Sequence, residues 1–320
     1  MLRPASCAPY REAQPRGLRP PQLNGSVTHL VQPRFHIRHR GGPHAQTTTP
    51  VDGVPREARA MSAADRFELI SDGLAAGVRA TDALIGLVLL GSASAAGVGR
   101  RDEWSDHDFF AIAAPGRGDD ARASLDWLPD QERVLLTARE GGLGFVALYD
   151  DGHVLEFAIA EPAELAESVA GDASVVVDAD GVTAELIAAG QAAAETRDAF
   201  DPDNDVRLVL VKLLIGVGRV RRGEILNGGQ FIRTWAANHL LRAIRGRFSG
   251  RAPETRDVID PTRRFEADYP GWAAEIASAL DAPAEQAAHR LFELTRRILE
   301  PDWDGFPTAA AEAVARRLGW

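Results

Sequence analysis

Residues 87–113 read LVLLGSASAAGVGRRDEWSDHDFFAIA. The apolar run Leu87 to Leu90 breaks at Gly91-Ser92, and a second apolar run, Phe109 to Ala113, follows a segment of small and charged residues. Short apolar runs bounded by turn residues are typical of buried strands. The stretch therefore predicts a strand, a turn wide enough for a phosphate, and a second strand.

Asp106 and Asp108 stand at the start of the second strand and are candidate metal ligands. Residues two apart on a strand share a face, so the two carboxylates are expected side by side. Such a pair repels unless a cation lies between its members, and Mg2+ prefers one or two carboxylates together with substrate phosphates. We therefore predict a site for a nucleotide with Mg2+, in which Gly91 and Ser92 hold phosphates. Alternatively, Ser92 is a helix N-cap after a tight turn.

The spacing of these groups resembles the signature of a known superfamily. A Gly-Ser turn, the residues Ala93 to Ser105, and then Asp106-His107-Asp108 look like the motif of the polymerase-beta-like nucleotidyltransferases. The stretch looks most like that of the small bacterial enzymes that adenylylate antibiotics, the aminoglycoside and lincosamide nucleotidyltransferases. The resemblance implies an α/β fold, namely a mixed β-sheet domain with helices, followed by a C-terminal α-helical bundle.

Two positions depart from that motif. His107 stands where an aliphatic residue is usual, and Ala95-Ala96 stand where an arginine often follows the turn. Arg100 and Arg101 are candidate substitutes for that arginine. Strand alternation points His107 away from the two acids, so it is either a packed histidine behind the site or a substrate contact.

Glu156 is the third candidate acid, because it interrupts the apolar run Val154 to Ile159. A buried acid is costly unless it is paired, and a metal-bound pair on a neighbouring strand would supply the partner. The turn residues Asp150-Asp151-Gly152 predict that this run is the second strand of a hairpin. The resemblance implies a carboxylate on such a strand, and Glu156 is its matching position, with the expected role of base.

Each acid also has a structural explanation when it is taken alone. Asp106 could be a turn residue, Asp108 a solvent-facing strand residue, and Glu156 a charge that protects an edge strand from aggregation. The three acids together, at the right distance from the Gly-Ser turn, favour the metal site.

Composition limits the classes of partner. The 320 residues are 45% hydrophobic and 26% charged, with a net charge of -10 and a pI near 5.3. This acidity argues against nucleic acid as the main partner and favours a cationic or neutral hydroxylated small molecule. No apolar run is long enough to cross a membrane, and the single cysteine, Cys7, excludes a disulfide within the chain. We expect a cytoplasmic protein; the sequence does not indicate its oligomeric state.

Residues 1–60 differ from the rest of the chain. They hold nine of the 19 prolines, and nine Arg against three acids, so that 27 basic and 43 acidic residues follow, a net charge of -16. Such a proline-rich segment without apolar periodicity is expected to be disordered. A transit peptide or a nucleic-acid-binding tail is an alternative. Met61 begins the first helical pattern, and we expect translation to start there.

The remaining chain is predicted to form two domains. Residues 61–200 alternate between helical and strand patterns and are expected to form the catalytic domain. Residues 201–320 carry apolar residues at spacings of three and four, which predicts a helical domain. The resemblance implies that this domain binds nucleotide or substrate.

Lys212 is the only lysine of the chain, whereas the other 35 basic side chains are Arg. A predicted helix face runs Lys212, Gly216, Arg219, on which a glycine between two cations would let a phosphate approach the backbone. We therefore predict that Lys212 and Arg219 bind the nucleotide, and the resemblance likewise implies a basic residue from this domain at the triphosphate. The alternative is a lysine at the rim of the bundle whose stem is buried and whose ammonium reaches water.

Together these features predict an enzyme that transfers a nucleoside monophosphate, most simply AMP from ATP, to a hydroxyl of a small molecule, such as an aminoglycoside- or lincosamide-like antibiotic. The implied chemistry uses two Mg2+ ions on Asp106 and Asp108, with Glu156 as base. Two other readings stay open. One is transfer to a protein or RNA acceptor, and the other is a non-catalytic nucleotide sensor, which would have no need of a base.

Overall fold

The computed structural model describes residues 63–166, 168, 171–196, 200–252, 260 and 262–320. The predictions about residues 1–60, about a start at Met61 and about Cys7 lie outside the described residues. Among the described residues, no helix combines the length and the apolarity that a membrane span needs.

Among the residues that the structure describes, six strands form one mixed sheet. In chain order they are β1 (Leu84–Leu90), β2 (His107–Ala113), β3 (Val134–Glu140), β4 (Gly144–Tyr149), β5 (Val154–Ala160) and β6 (Ala173–Asp178). Their spatial order is β3-β4-β5-β2-β1-β6. The pair β2 and β5 is parallel, and the other four neighbouring pairs are antiparallel. The predicted mixed α/β class is confirmed.

The helices fall before, between and after these strands. They are α1 (Ala63–Arg79), α2 (Gly118–Ala123), α3 (Pro162–Leu165), α4 (Val182–Thr196), α5 (Pro202–Arg221), α6 (Ile225–Gln230), α7 (Ala237–Arg247), α8 (Phe265–Asp268), α9 (Pro270–Leu280), α10 (Ala284–Leu299) and α11 (Thr308–Leu318). A π-helical segment, Phe231–Ala236, joins α6 to α7 without a break. Two short 3-10 turns, Gly91–Ala93 and Ala95–Arg100, lie between β1 and β2.

Strand alternation divides the sheet into two apolar faces. On one face, Phe67 and Leu74 of α1 pack in the same buried cluster as Phe109 of β2 and Phe157 of β5. On the other face, the cluster joins residues of β1, β2 and β5 with residues of α3 and α4: Val88, Ile112, Ala160, Leu165 and Ile187. Helices therefore cover both faces of the sheet, and each β2 or β5 side chain points to one face or the other.

The described part of residues 202–318 contains helices only, with a buried cluster of its own. Its first helix is set by Asp201, whose carboxylate accepts a hydrogen bond from the Asn204 N–H at 3.0 Å, with Pro202 at the first helical position. The division of the chain at residue 200 into two domains stays a prediction.

The sequence pattern predicts a first helix from about Ala63 to Leu84 and a turn at residues 178–181, and it predicts no strand directly before that turn. The first helix was expected to run to Leu84, but it ends at Arg79, and Leu84 already pairs with Ala113 in the sheet. Strand β6 was not predicted, although Asp178-Ala179-Asp180-Gly181 was correctly interpreted as a turn. It is a short edge strand with β1 as its neighbour, and Val175 and Val176 are each 37% exposed, so its pattern lacks a clear buried face.

Candidate functional site

The parallel pair β2 and β5 brings the three predicted acids together. Asp108 of β2 lies directly opposite Glu156 of β5, and Asp106 comes two residues before Asp108. One carboxylate oxygen from each of Asp106, Asp108 and Glu156 lies within 4.8 Å of the other two. Asp106 and Glu156 are 50 residues apart in the chain, and the register between β2 and β5 brings them together.

The side chains next to the acids fix the face on which they stand. Phe109 and Phe157, each one residue further along its strand, stack at 4.6 Å between ring centroids in the core beneath α1. Because successive side chains alternate, Asp108 and Glu156 point to the opposite face. Asp106 is 8% exposed, while Asp108 and Glu156 are half-buried.

The donor set fits a hard divalent cation. Three carboxylates this close, one of them buried, repel one another strongly at low dielectric, and oxygen ligands of this kind are those that Mg2+ and Ca2+ take. The individual structural explanations fit less well. Glu156 does not guard a sheet edge, because β5 lies between β4 and β2, and Asp106 is buried rather than a solvated turn residue.

The Gly91-Ser92 turn lies beside the acids. Gly91 has a φ of +52°, a backbone conformation that favours glycine, and a Cβ placed on it would lie 3.7 Å from Asp108 Oδ2. The Ser92 hydroxyl donates to the Asp106 carbonyl at 3.2 Å. Helix capping falls to Ser94 instead, whose Oγ accepts from the Gly97 N–H at 3.2 Å. The turn is thus held against the first acid by its own serine.

Arg101 holds the turn in shape, a role that the motif did not indicate. Its Nε donates to the Ser92 carbonyl at 2.8 Å, a second nitrogen donates to the Ala93 carbonyl at 3.0 Å, and it forms an ion pair with Glu68. Arg100 instead pairs with Asp172 at the surface. The described contacts of Arg101 therefore indicate a scaffold for the turn, rather than a substitute for a phosphate-binding arginine.

His107 lies behind the acids, on the side that alternation predicted. Its ring is fully buried and stacks on Phe67 of α1 at 3.7 Å between centroids. Its Nε2 lies 2.9 Å from Ser71 Oγ, and its Nδ1 lies 2.7 Å from Nε2 of His153. Burial, followed by the nearby His153 and Arg101, lowers the pKa of His107 to about 2. These contacts make it a packed histidine that ties β2 to α1 and to the start of β5.

This histidine pair predicts a loss of stability in mild acid. Burial also lowers the pKa of His153. At pH values below 6.5, the ordinary pKa of histidine, both side chains therefore bind fewer protons in the folded state than in the unfolded state. Stability rises with pH wherever the unfolded state binds more protons, so the free energy of unfolding should fall as pH drops below 6.5. The slope should approach about 1.4 kcal/mol per pH unit from His107, and His153 adds to it in the same direction.

Urea unfolding between about pH 7.5 and about pH 5.5 measures this slope above the range where most carboxylates titrate. His107→Asn should remove most of this slope, and the part contributed by His153 should remain. Gln286→Ala, at an exposed residue of α10 that carries no titratable group, is the control and should leave the slope as it is. A wild-type unfolding free energy that stays constant across this range would contradict the prediction.

Lys212 and Arg219 lie on α5 and share one aromatic neighbour. Lys212 Nζ lies 5.7 Å from the Phe231 ring and 5.5 Å from the Trp235 ring. Arg219 lies 5.0 Å from the Phe231 ring and forms an ion pair of 2.9 Å with Glu224. Lys212 is half-buried, so its stem is packed as the rim interpretation expected. Nucleotide binding by either residue stays a prediction.

Gly216 corrects one expectation. It does not leave room for a phosphate between the two cations, because it is buried and a Cβ on it would lie 2.7 Å from Ile232 Cγ1 and 3.1 Å from Phe231 Cβ. The glycine instead lets α5 pack closely against the π-helical segment. Sequence alone could not separate these roles, since both require a residue without a side chain.

The comparisons with known proteins leave the function open. No protein-family model matches the chain, and no curated protein matches it. Among solved structures, it is similar to an aminoglycoside 6-adenyltransferase from Bacillus subtilis, with 14% identity, a TM-score of 0.28, and coverage of 79% of this chain and 92% of that chain. A likeness this distant does not bear on function, which has to be argued from the residues of the site.

Proposed function

We propose that this protein is a metal-dependent nucleotidyltransferase that transfers a nucleoside monophosphate, AMP if the donor is ATP, to a hydroxyl of a small molecule. The observation that carries the proposal is the group Asp106, Asp108 and Glu156, whose carboxylate oxygens lie within 4.8 Å of one another beside the Gly91 turn. A motif that looks like that of the aminoglycoside and lincosamide nucleotidyltransferases supports an antibiotic-like acceptor.

Asp106 and Asp108 are the residues that would hold Mg2+. They flank His107 at the start of β2, where the hydrogen bonds of His107 and of Ser92 restrict the backbone between and before them. When bound, Mg2+ ions would neutralise charge on the phosphates and on the leaving pyrophosphate. The two aspartates thus place two carboxylates where a metal-nucleotide complex could bind.

Glu156 is the proposed base. It stands on the neighbouring strand, opposite Asp108 and half-buried, so its carboxylate is one strand spacing away from the metal ligands. It would accept the proton of the acceptor hydroxyl while that oxygen attacks the α-phosphorus, and pyrophosphate would leave on the opposite side. A carboxylate base at this place is what distinguishes a transferase from a nucleotide sensor.

Gly91 and Ser92 are proposed to receive the phosphates, with Lys212 and Arg219 as cations from the helical part. The turn is supported in this role by its positive φ at Gly91, its bond to the Asp106 backbone and its bracing by Arg101. The acceptor is expected to be neutral or cationic, in keeping with the net charge of -10.

Release of pyrophosphate tests the proposal directly. Wild-type protein would be incubated with Mg2+, with each of ATP, GTP, CTP and UTP in labelled form, and with a panel of hydroxylated antibiotics. We expect pyrophosphate release that needs both an acceptor and Mg2+. If Mg-nucleotide binds tightly but no small molecule, protein or RNA acceptor ever draws release, the sensor interpretation replaces the enzyme.

Lys212→Ala tests the contribution of the helical part. The loss of one charge-assisted phosphate contact should weaken nucleotide binding or transition-state binding by on the order of 1.5 to 3 kcal/mol. Calorimetric nucleotide Kd and steady-state kcat measure this. Arg207→Ala, at an exposed residue of the same helix, is the matched control and should change neither value. If Lys212→Ala behaves like that control, Lys212 only packs at the rim.

A further inference from the structure

A cleft of about 410 Å³ lies in the helical part. Its lining residues are Lys212, Trp235, Asn238, His239 and Arg242. Four of these lie on one continuous helical run through the π-helical segment and α7, at successive spacings of three, one and three residues, so they share a face. Lys212 reaches the cleft from α5. Only Lys212 of these residues was suspected from the sequence.

The buried Asp205 contacts two of the residues that line this cleft, His239 and Arg242. It is a buried residue in the first turn of α5, with a side chain that is 3% exposed. One of its oxygens lies 2.8 Å from Nδ1 of His239 and accepts a hydrogen bond from Arg242 Nε at 3.2 Å. Because Nδ1 of His239 faces Asp205, Nε2 of the same ring is directed away from Asp205. The buried acid therefore orients an imidazole and a guanidinium together.

Aromatic rings hold the opposite wall. Lys212 Nζ lies within 5.7 Å of the centroids of both Phe231 and Trp235, and these two rings contact each other edge to face at 4.3 Å. Two ring faces position an ammonium group and reduce its hydration. The rings reach Lys212 because Gly216, one turn later, admits the π-helical segment close to α5. Such π-helical segments are rare and are frequently found at functional sites.

The charge and hydrogen-bonding character of the cleft select its ligand. Two of the five lining residues, Lys212 and Arg242, are cations, and none of the five is an acid. Lys and Arg only donate hydrogen bonds, and Asn238 and His239 add further polar groups. A donor-rich cleft lined by two cations suits a ligand with acceptor oxygens on all sides, which is the chemistry of a phosphate group.

We propose that this cleft is a binding site for a phosphate-class anion, formed by Lys212, Asn238, His239 and Arg242, with Asp205 as their positioning residue. This proposal shares one residue with the proposed function, Lys212, and rests on it to that extent. The other three residues have no part in the proposed transfer reaction. Two sources would present the same chemistry: the β- and γ-phosphates of the nucleotide, and a phosphorylated small molecule.

Binding of inorganic pyrophosphate to the full chain, measured by calorimetry with a chelator and without divalent metal, tests the site. Wild type should bind. Lys212→Ala, Asn238→Asp and Arg242→Gln should each raise the Kd roughly 10- to 100-fold. Asn238→Asp adds a negative charge without removing a buried contact, so it stays informative if Arg242→Gln unfolds the helices around Asp205. Arg207→Gln, at an exposed residue of α5, is the control and should bind as wild type does.

The outcomes distinguish anion binding in this cleft from anion binding at Asp106, Asp108 and Glu156. No binding by metal-free wild type, or equal binding by all variants, overturns the proposal. Binding that needs Mg2+ and is lost in Asp108→Asn also overturns it, because the anion is then held at the acids, and the proposed function is untouched. Binding that survives in metal-free Asp108→Asn supports the cleft even if no acceptor ever draws pyrophosphate release. Competition identifies the source: displacement by ATP assigns the nucleotide, and displacement by a sugar phosphate but not by ATP assigns a phosphorylated small molecule.

Discussion

Glu156→Gln is expected to slow nucleotidyl transfer by about 10² to 10⁴-fold while Mg-nucleotide binding stays close to that of wild type. Glutamine keeps the size of the side chain on β5 but cannot take up the proton of the attacking hydroxyl. Asp106 and Asp108 remain, so the proposed metal ligands on β2 are intact. Single-turnover transfer and calorimetric nucleotide binding, measured on the same preparation, separate the two effects.

Glu140→Gln is the matched control for this experiment. It makes the same chemical change on β3, the edge strand of the same sheet, and should transfer at the wild-type rate. If Glu156→Gln also transfers at the wild-type rate, Glu156 is not the base, and another acid has to take up the proton. If it loses nucleotide binding as well, Glu156 acts mainly as a metal ligand.

The strands that carry the acids could be predicted because their signals are local. Apolar runs and the Asp150-Asp151-Gly152 turn indicated β2, β4 and β5 within one or two residues of their observed bounds. Gly152 has a φ of +84°, as such a hairpin turn requires. Alternation within β2 then fixed which way His107 points, because it depends only on the two-residue period of a strand.

The partners of these residues could not be predicted, because they are distant in sequence. His107 meets His153 and Ser71, which are 46 and 36 residues away, and no local pattern joins them. The same holds for Arg101. Its hydrogen bond to the Ser92 carbonyl depends on how the chain folds back between residues 91 and 101. Gly216 is a different case. The sequence indicated a close approach at this glycine, but the group that approaches is the π-helical segment and not a phosphate.

The cleft around Asp205 was missed for a related reason. In the sequence, Asp205 looks like an ordinary acid in the first turn of a helix, where acids are common. It is buried because α7 packs on α5, and sequence alone does not indicate that contact. Trp235, Asn238, His239 and Arg242 also read as an ordinary helix face. The π-helical segment that turns this face toward Lys212 has no recognisable sequence pattern of its own.

Asp108→Asn is expected to abolish Mg2+-dependent nucleotide binding, with a loss of affinity of about 10²-fold or more. Asp108 is the central acid, since it lies opposite Glu156 and two residues from Asp106. Asparagine keeps the shape but removes one of the three negative charges whose oxygens lie within 4.8 Å of one another. Hydrogen bonds through Ser92 and His107 should still fix the strand, so the change acts on the metal rather than on the fold.

Thermal unfolding with and without Mg-nucleotide reads out this loss without any transfer reaction. A ligand at about 100 times its Kd stabilises the folded state by about 2.7 kcal/mol, so wild type should melt several degrees higher with Mg-nucleotide than without it. Asp108→Asn should show no such rise, whereas Glu156→Gln should keep it and still fail to transfer. Asp82→Asn, at an exposed residue just before β1, is the control and should melt as wild type does in both conditions. A full thermal shift in Asp108→Asn would mean that the nucleotide binds without the acids, and the metal site proposed at β2 and β5 would be wrong.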